Sequence, residues 1–253
     1  MLTLTCTVHD ANGGLLWLIE KQASSLLNLF DSVVVVATKG TAPTLSAALR
    51  KHGISVVTRP NNTVGLTFYE ALKQGWATGA DRIFYADFDR ILHWAEFRAA
   101  ELKRLVAALR RTDKVDYLVL ERSPRAYRTH HEALIKTEAI ANSVISGVLD
   151  GYEIHDYLGG AFVLSRRAAE WVLHEGKTLD LGFYSLWPLL TALHKGKIAY
   201  RRCEGLEWET PDRYRAEIKK VGGIAKWRET LATPKEWAYR TDIARQTIRP
   251  LVS

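Results

Sequence analysis

Several things are scarce in this sequence. Only two of its 253 residues are cysteine, Cys6 and Cys203, too few for a disulfide framework and in keeping with a reducing compartment. Cys6 sits in an apolar run and reads as a small core residue rather than a reactive thiol. No stretch approaches the ~20 consecutive apolar residues of a membrane span. Residues 1–10 lack a basic segment followed by a long apolar run, so no secretory signal is expected and the expected location is cytoplasmic. Internal repeats and low-complexity linkers are also missing. Hydrophobic residues make up 47% and charged residues 25%, which excludes disorder and collagen-like or fibrous architecture.

Positive charge is present in excess. Lysine and arginine number 35 against 28 acids, a formal net charge of +7. An anionic partner is implied, whether nucleic acid, an anionic membrane surface or a phosphorylated small molecule; charge alone does not choose.

The first 120 residues alternate between two periodicities. Short β-branched runs at 2–8, 32–37, 54–58 and 82–86 read as strands, and 11–30, 42–52 and 63–78 carry apolar residues at helical spacing. Strand and helix in turn at this spacing predict βαβ units, a parallel sheet and helices on both of its faces. Right-handed crossovers then place the strand C-termini along one edge, where open sheets bind ligands. His9, Asp10, Thr38, Lys39, Arg59 and Asp87-Phe88-Asp89 all fall there. Further on, 95–111, 132–149, 166–174 and 183–194 read as helices, and 117–121, 161–164 and 198–202 as strands. Residues 123–131 read as an arginine-rich loop. From Glu204 onward the chain turns polar, basic and tryptophan-containing.

Asp87-Phe88-Asp89 is the sharpest feature. Two carboxylates one residue apart at a strand end can share a hard divalent cation such as Mg²⁺ or Mn²⁺, which keeps diphosphate oxygens in the same shell. A cation-bound diphosphate is a better leaving group. The bare tripeptide also suits a solvated turn; its place after a fourth strand favours a site.

The segment Arg59-Pro60-Asn61-Asn62-Thr63-Val64-Gly65, its helix, and then Arg82-Ile83-Phe84-Tyr85-Ala86-Asp87-Phe88-Asp89 resemble the nucleotide-sugar-binding half of GT-A-fold glycosyltransferases. The resemblance covers residues 2–94 and, more loosely, 157–200, where Tyr157-Leu158-Gly159-Gly160-Ala161-Phe162 looks like the acceptor-side strand. It implies an α/β fold: a single Rossmann-like GT-A domain over 1–203, its mostly parallel central sheet flanked by helices. Within it, 1–94 would bind the nucleotide sugar and 95–203 the acceptor, with 204–253 a C-terminal extension packed on the domain.

The activity implied is transfer of a sugar from a nucleoside-diphosphate sugar to an acceptor hydroxyl with divalent-metal assistance. Asp87 and Asp89 would hold Mn²⁺ or Mg²⁺ with the donor's ribose and diphosphate. Thr7, His9, Asp10 and Arg59 would line the nucleotide pocket, with Lys39 and Gly65 on the same edge. Lys39 stands where many relatives of the cellulose-synthase type carry acids, and their Glu-Asp base dipeptide is not found. Asp156 and Asp180 are the carboxylates left as candidate bases for the acceptor hydroxyl. A retaining enzyme needs no such base, so the stereochemistry stays open.

Gly159 and Gly160 would let a sugar approach the backbone, or make a tight turn into a strand. Glu207 and Glu209 are candidate further metal ligands, or a solvated acidic turn. Arg122, Arg125, Arg128, His130 and His131 form a cationic loop; Arg125 and Arg128 could hold an anionic acceptor, or the loop is simply solvated. Basic residues beside Trp227 and Trp237 suit a lipid-linked acceptor at a peripheral membrane contact, or tryptophans that staple the extension to the domain. Nucleotidyl transfer, or non-catalytic binding of nucleotide or nucleic acid, are the competing functions. The first turn lacks the cations that grip a triphosphate, and no aromatic-basic strand face supports nucleic acid.

Overall fold

The computed structural model describes residues 1–60, 62–111, 114–149, 151 and 153–252. Asn61, part of the glycosyltransferase-like segment, lies outside the described residues. The strands are β1 (Leu2–Val8), β2 (Ser32–Ala37), β3 (Ser55–Thr58), β4 (Arg82–Asp87), β5 (Tyr117–Arg122), β6 (Ala161–Ser165) and β7 (Ile198–Cys203). The helices of the first half are α1 (Leu16–Leu29), α2 (Pro43–Lys51), α3 (Val64–Ala77), α4 (Phe88–Phe97) and α5 (Ala99–Leu109). There follow α6 (Pro124–Thr129), α7 (Glu132–Leu149), α8 (Arg166–Glu175) and α9 (Phe183–Leu193), then α10 (Arg215–Val221), α11 (Ile224–Thr230) and α12 (Pro234–Ile248).

The seven strands form one sheet in the order β3-β2-β1-β4-β6-β5-β7. All neighbouring pairs are parallel except those of β6, which runs antiparallel to both β4 and β5. The mostly parallel α/β sheet expected from the sequence is therefore present. The chain winds outward from β1 through β2 to β3, then returns to place β4 on the other side of β1. That reversal opens a crevice at the C-terminal ends of β1 and β4, the place where such sheets bind ligands.

Strand alternation divides the core between the two faces. Leu4, Cys6, Val8, Phe84 and Ala86 pack with Leu18, Ile19, Leu26, Leu45, Trp94 and Leu105 from α1, α2, α4 and α5. Ile83, Tyr85 and Phe162 pack on the opposite face with Phe68, Leu72, Val172, Phe183 and Trp187 from α3, α8 and α9. Cys6 and Cys203 are both free and buried.

Two elements differ from the sequence reading. The helix expected at 95–111 is two helices, and α4 begins directly after β4, so Asp89 lies in a first helical turn. The arginine-rich loop contains α6, which Ser123 caps by accepting from the Ala126 N–H at 3.1 Å. After β7 the chain stays on the body. Glu101 accepts from the N–H groups of Glu204 and Gly205, each at 2.8 Å, and from Trp94 Nε1 at 2.9 Å. Trp208 and Trp227 stack with ring centroids 5.4 Å apart and join Ile218 in a small buried cluster. Among the described residues, no helix is long and apolar enough to cross a membrane.

Candidate active site

Strand register assembles the site. In β1 and β4 Thr7 is paired with Asp87, and in β4 and β6 Ala86 is paired with Ala161. Gly160 therefore lies against Asp87, whose N–H donates to the Gly160 carbonyl at 3.0 Å. Gly160 has φ +68, and a Cβ there would sit 2.6 Å from Asp87 Oδ2 and 2.8 Å from Arg90 Nε. Only glycine leaves that space to the Asp87 and Arg90 side chains and takes that backbone without cost.

Asp87 is supported from below by a short relay. Tyr85 donates its hydroxyl to Asp87 Oδ1 at 2.7 Å, and Thr7 Oγ1 lies 2.7 Å from the same phenol oxygen. Burial, with the Asp89 charge next, pushes the Asp87 carboxyl up to about 7. Asp89 accepts from the Arg90 N–H at 3.0 Å through Oδ1 and from Arg213 Nη2 at 2.5 Å through Oδ2. Its place in the first turn of α4 puts it where a helix favours negative charge. Arg213 also donates to the His9 carbonyl at 2.9 Å, tying the segment after β7 across the crevice.

Three acids, Asp87, Asp89 and Glu209, thus face two guanidinium groups, Arg90 and Arg213. A hard cation would offset the acids and favour the charged form of Asp87, which burial first and Asp89 second disfavour. Among the described residues no third Asp, Glu, His or Cys joins Asp87 and Asp89 in a metal-ligating group. Of the candidate further ligands, Glu209 stays at the site but is paired with Arg90, and Glu207 is engaged elsewhere. Glu209 accepts from Arg90 Nη2 at 3.2 Å, and Glu207 from Arg98 at 3.0 Å and from Arg125. A cation here would take its other ligands from water and substrate, as Mg²⁺ commonly does.

The remaining sequence candidates divide. Asp10 is turned to the backbone, accepting from the N–H groups of Gly14 at 3.1 Å and Leu15 at 2.9 Å at the start of α1. His9 Nδ1 lies 2.6 Å from Thr38 Oγ1, and Lys39 beside it is exposed. Arg59 lies 3.7 Å from Glu70. Gly65 packs against residues 178–180, where a Cβ would meet the Asp180 carbonyl at 2.6 Å. Asp180 itself accepts from the Gly182 N–H at 3.0 Å and pairs with Arg249. Gly159 abuts the Leu120 carbonyl, 2.8 Å from where a Cβ would stand.

Asp156 is not placed to take a proton from a substrate. Its Oδ2 accepts from Arg122 N at 3.1 Å and Nε at 2.7 Å; its Oδ1 accepts from Arg122 Nη2 at 2.7 Å and Asn142 Nδ2 at 3.0 Å. Burial alone would raise it, but the Arg122 charge and hydrogen bonds outweigh burial and hold the carboxyl below the usual range. Arg122 also reaches Glu138 at 2.5 Å, so this arginine is the centre of a buried ionic cluster.

The expected cationic loop is corrected in the same way. His130 and His131 are buried, and burial lowers both; His130 falls well below its ordinary value, and His131 to about 4. Both are neutral at pH 7. Arg125 pairs with Glu204 and Glu207 in an outer groove with Phe97 and Arg98, away from Asp87. Arg128 is exposed. The sequence reading missed Tyr85, Arg90 and Arg213. Tyr85 and Arg90 stand inside and directly after the quoted motif, whereas Arg213 had no signal beyond a basic segment.

Behind Asp87 the crevice deepens into a cavity of about 210 Å³. Its wall includes Phe68, Tyr184 and Trp208 with the polar groups of Arg90, His130, Glu138, Glu209 and Arg240.

No protein-family model and no curated protein matches the chain. Solved structures do. Glucosyl-3-phosphoglycerate synthase from Mycobacterium tuberculosis superimposes with a TM-score of 0.58 at 15% identity, over all of this chain and 79% of that one. The same enzyme with Mn²⁺, uridine diphosphate and phosphoglyceric acid gives 0.51 at 15% identity, over 92% of this chain and 79% of that one. With Mn²⁺, uridine diphosphate and glucosyl-3-phosphoglycerate it gives 0.51 at 16%, over 80% and 69%. With its strand order, its antiparallel β6 and this superposition, the chain has the GT-A fold.

Proposed function

We propose that the protein is a glycosyltransferase that moves a sugar from a nucleoside-diphosphate sugar to an acceptor hydroxyl with help from a divalent cation. The observation that carries this reading is the Asp87–Asp89 pair at the C-terminal end of β4, with Gly160 packed against it. The GT-A likeness supports it, as do the Mn²⁺ and uridine diphosphate in the superimposed synthase. In this reading Asp87 and Asp89 hold Mn²⁺ or Mg²⁺. A cation held there would supply positive charge to offset what develops on a departing diphosphate.

This chain's own residues supply the rest. Thr7 and Tyr85 orient Asp87, the α4 N-terminus favours the charge on Asp89, and Arg90 and Arg213 present guanidinium groups at the same mouth. Gly160 lets the Asp87 and Arg90 side chains pack against the backbone that enters β6. Asp156 plays no part as a base, because its four acceptor positions are filled. Free, buried Cys6 and Cys203 suit the reducing cytoplasm, where we place the protein.

The test is a thermal-shift series with UDP, GDP, ADP, CDP and TDP, each with and without Mn²⁺, on wild type and on Asp89→Asn. A ligand at a hundredfold its Kd adds about 2.7 kcal/mol of stability. For a chain of this length that is a rise of roughly 5–10 °C in Tm. One diphosphate should give a Mn²⁺-dependent rise that Asp89→Asn loses. No rise with any of the five, with metal present, overturns the proposal.

A further inference from the structure

Buried polar atoms in a folded protein are almost always hydrogen-bonded, so a group of exceptions calls for an occupant. Four such exceptions belong to residues that line the cavity behind Asp87. They are Arg90 Nε, Arg90 Nη1, His130 Nε2 and Glu209 Oε2, all buried and without a hydrogen-bond partner. Glu209 Oε2 lies 3.2 Å from Arg90 Nη2 but makes no hydrogen bond with it; the bond goes to Oε1.

The roles of these atoms follow from their other contacts. His130 Nδ1 lies 3.1 Å from the Ala126 carbonyl, which can only accept, so Nδ1 carries the proton. With the ring held neutral by burial and by Arg122 and Arg90, Nε2 presents a lone pair. Arg90 therefore offers donors, and His130 and Glu209 offer acceptors. A hydroxyl group, which both donates and accepts, answers that mixture; a carboxylate or phosphate, which only accepts, answers only part of it.

Charge points the same way. Each cation on the wall already has its acid: Arg90 has Glu209, and Arg240 has Glu236 at 2.7 Å. Glu138 has Arg122. Those pairings leave no uncommitted positive charge on the wall for an anion to meet. The volume holds far more than one ordered water. Phe68, Tyr184 and Trp208 give the apolar walls usual for small-molecule sites.

We infer that this cavity receives a neutral, hydroxyl-rich ligand the size of a monosaccharide or small polyol, gripped by Arg90, His130 and Glu209. The inference deepens the transferase reading and rests on it for one point only, that the ligand is either the acceptor or the sugar being transferred. It also sets this chain apart from the superimposed synthase, which was solved with phosphoglyceric acid and with glycerol 3-phosphate.

The experiment is saturation-transfer NMR with glycerol, D-glucose, myo-inositol and glycerol 3-phosphate, run with and without UDP and Mn²⁺. Wild type should bind at least one neutral probe saturably and at least tenfold more tightly than glycerol 3-phosphate. His130→Leu and the near-isosteric Glu209→Gln should each weaken that binding at least tenfold, with circular dichroism confirming that they fold. Affinities for UDP and UDP-glucose then separate the sources. If the cavity takes the transferred sugar, His130→Leu weakens UDP-glucose and not UDP; if it takes the acceptor, neither changes.

Saturable polyol binding without any nucleotide binding removes the transferase reading and leaves the cavity assignment standing. Nucleotide binding with no saturable neutral probe means the cavity holds only water and overturns the inference. Tighter binding of glycerol 3-phosphate than of every neutral probe overturns it too.

Discussion

Gly160→Ala separates two costs that usually come together. An alanine at φ +68 pays for a left-handed backbone, about 1–2 kcal/mol. Its methyl group must also displace Asp87 Oδ2, 2.6 Å away, and Arg90 Nε, 2.8 Å away. Neither can retreat freely, because Asp87 is held by Tyr85 and Arg90 by Glu209. Packing conflict of this kind adds about 1–3 kcal/mol. Gly53 supplies the control: it has φ +84, and nothing lies within 4 Å of a Cβ there. Gly53→Ala should therefore lower stability by about 1–2 kcal/mol, roughly 2–8 °C in Tm for a chain of this size, and leave nucleotide binding intact. Gly160→Ala should cost about twice as much and also abolish Mn²⁺-dependent nucleotide binding. Urea denaturation gives the stabilities, and isothermal titration of the nucleotide identified by thermal shift gives the binding. Equal losses of stability in the two variants, with nucleotide affinity preserved in Gly160→Ala, would refute the claim that Gly160 keeps the Asp87 carboxylate in place.

Other substitutions probe the frame around the site. Arg122→Met leaves Asp156 and Glu138 buried without their cation and should cost about 3–5 kcal/mol in urea denaturation; a loss under about 1 kcal/mol would show that the cluster is not held by this arginine. Gly205→Ala would drive a methyl group to 1.9 Å from Trp94 Cδ1, so a loss of about 3 kcal/mol or failure to fold is expected, read by Tm and tryptophan fluorescence. Arg125→Ala breaks two ion pairs of an exposed arginine and should change stability by about 1 kcal/mol, with nucleotide affinity unaltered on titration; a clear loss of affinity would return Arg125 to the site. Burial acts to raise the Asp116 carboxyl, but hydrogen bonds from Arg167, the Lys197 N–H and Ser165 prevail and lower it. Its stabilisation is therefore complete above the unfolded value of about 3.9 and fades as pH falls below that. Asp116→Asn should flatten the loss of stability measured between about pH 4 and 2.5.

What could be read from the sequence was what local pattern encodes. The four-valine run of β2, the short strand-like runs of β1 and β4, and the glycines that close α2 and α3 each fix an element through nearest neighbours. The Asp87–Asp89 pair was legible because its position after a strand follows from those elements. The antiparallel direction of β6 was not. Nothing in Ala161–Ser165 distinguishes it from a parallel strand, because direction is set by where the chain enters after α7. Yet that direction is what lays Gly160 against Asp87.

The setting of Asp156, one of the two candidate bases, was illegible for a related reason. Asp156 and Arg122 are separated by 34 residues, and Asp89 and Arg213 by 124. Ion pairs at such separations are consequences of the completed fold, so a count of charges along the chain cannot assign them. Counting also misjudges histidines. His130 and His131, grouped with the arginines by proximity in sequence, are neutral once burial withdraws the water that would stabilise their charge.

The same distinction bears on how the net charge of +7 relates to a polyanionic donor. Exposed charges act over a Debye length of about 8 Å at physiological salt, so lysines on distant faces contribute little inside the crevice. There that excess is gone. Asp87, Asp89 and Glu209 stand against Arg90 and Arg213, and burial, by pushing Asp87 up to about 7, leaves it part ionised at neutral pH unless a cation favours its charged form. A diphosphate arriving alone meets no surplus of guanidinium, whatever the charge of the whole chain. Divalent cation should therefore govern donor affinity far more than ionic strength does. Titration of the nucleotide with Mn²⁺ across 50–300 mM salt should show about a tenfold change or less, while removal of Mn²⁺ with EDTA should remove measurable binding. If instead affinity survives EDTA and falls steeply with salt, then Arg90 and Arg213 grip the phosphates themselves, and Asp87 and Asp89 hold those arginines rather than a metal.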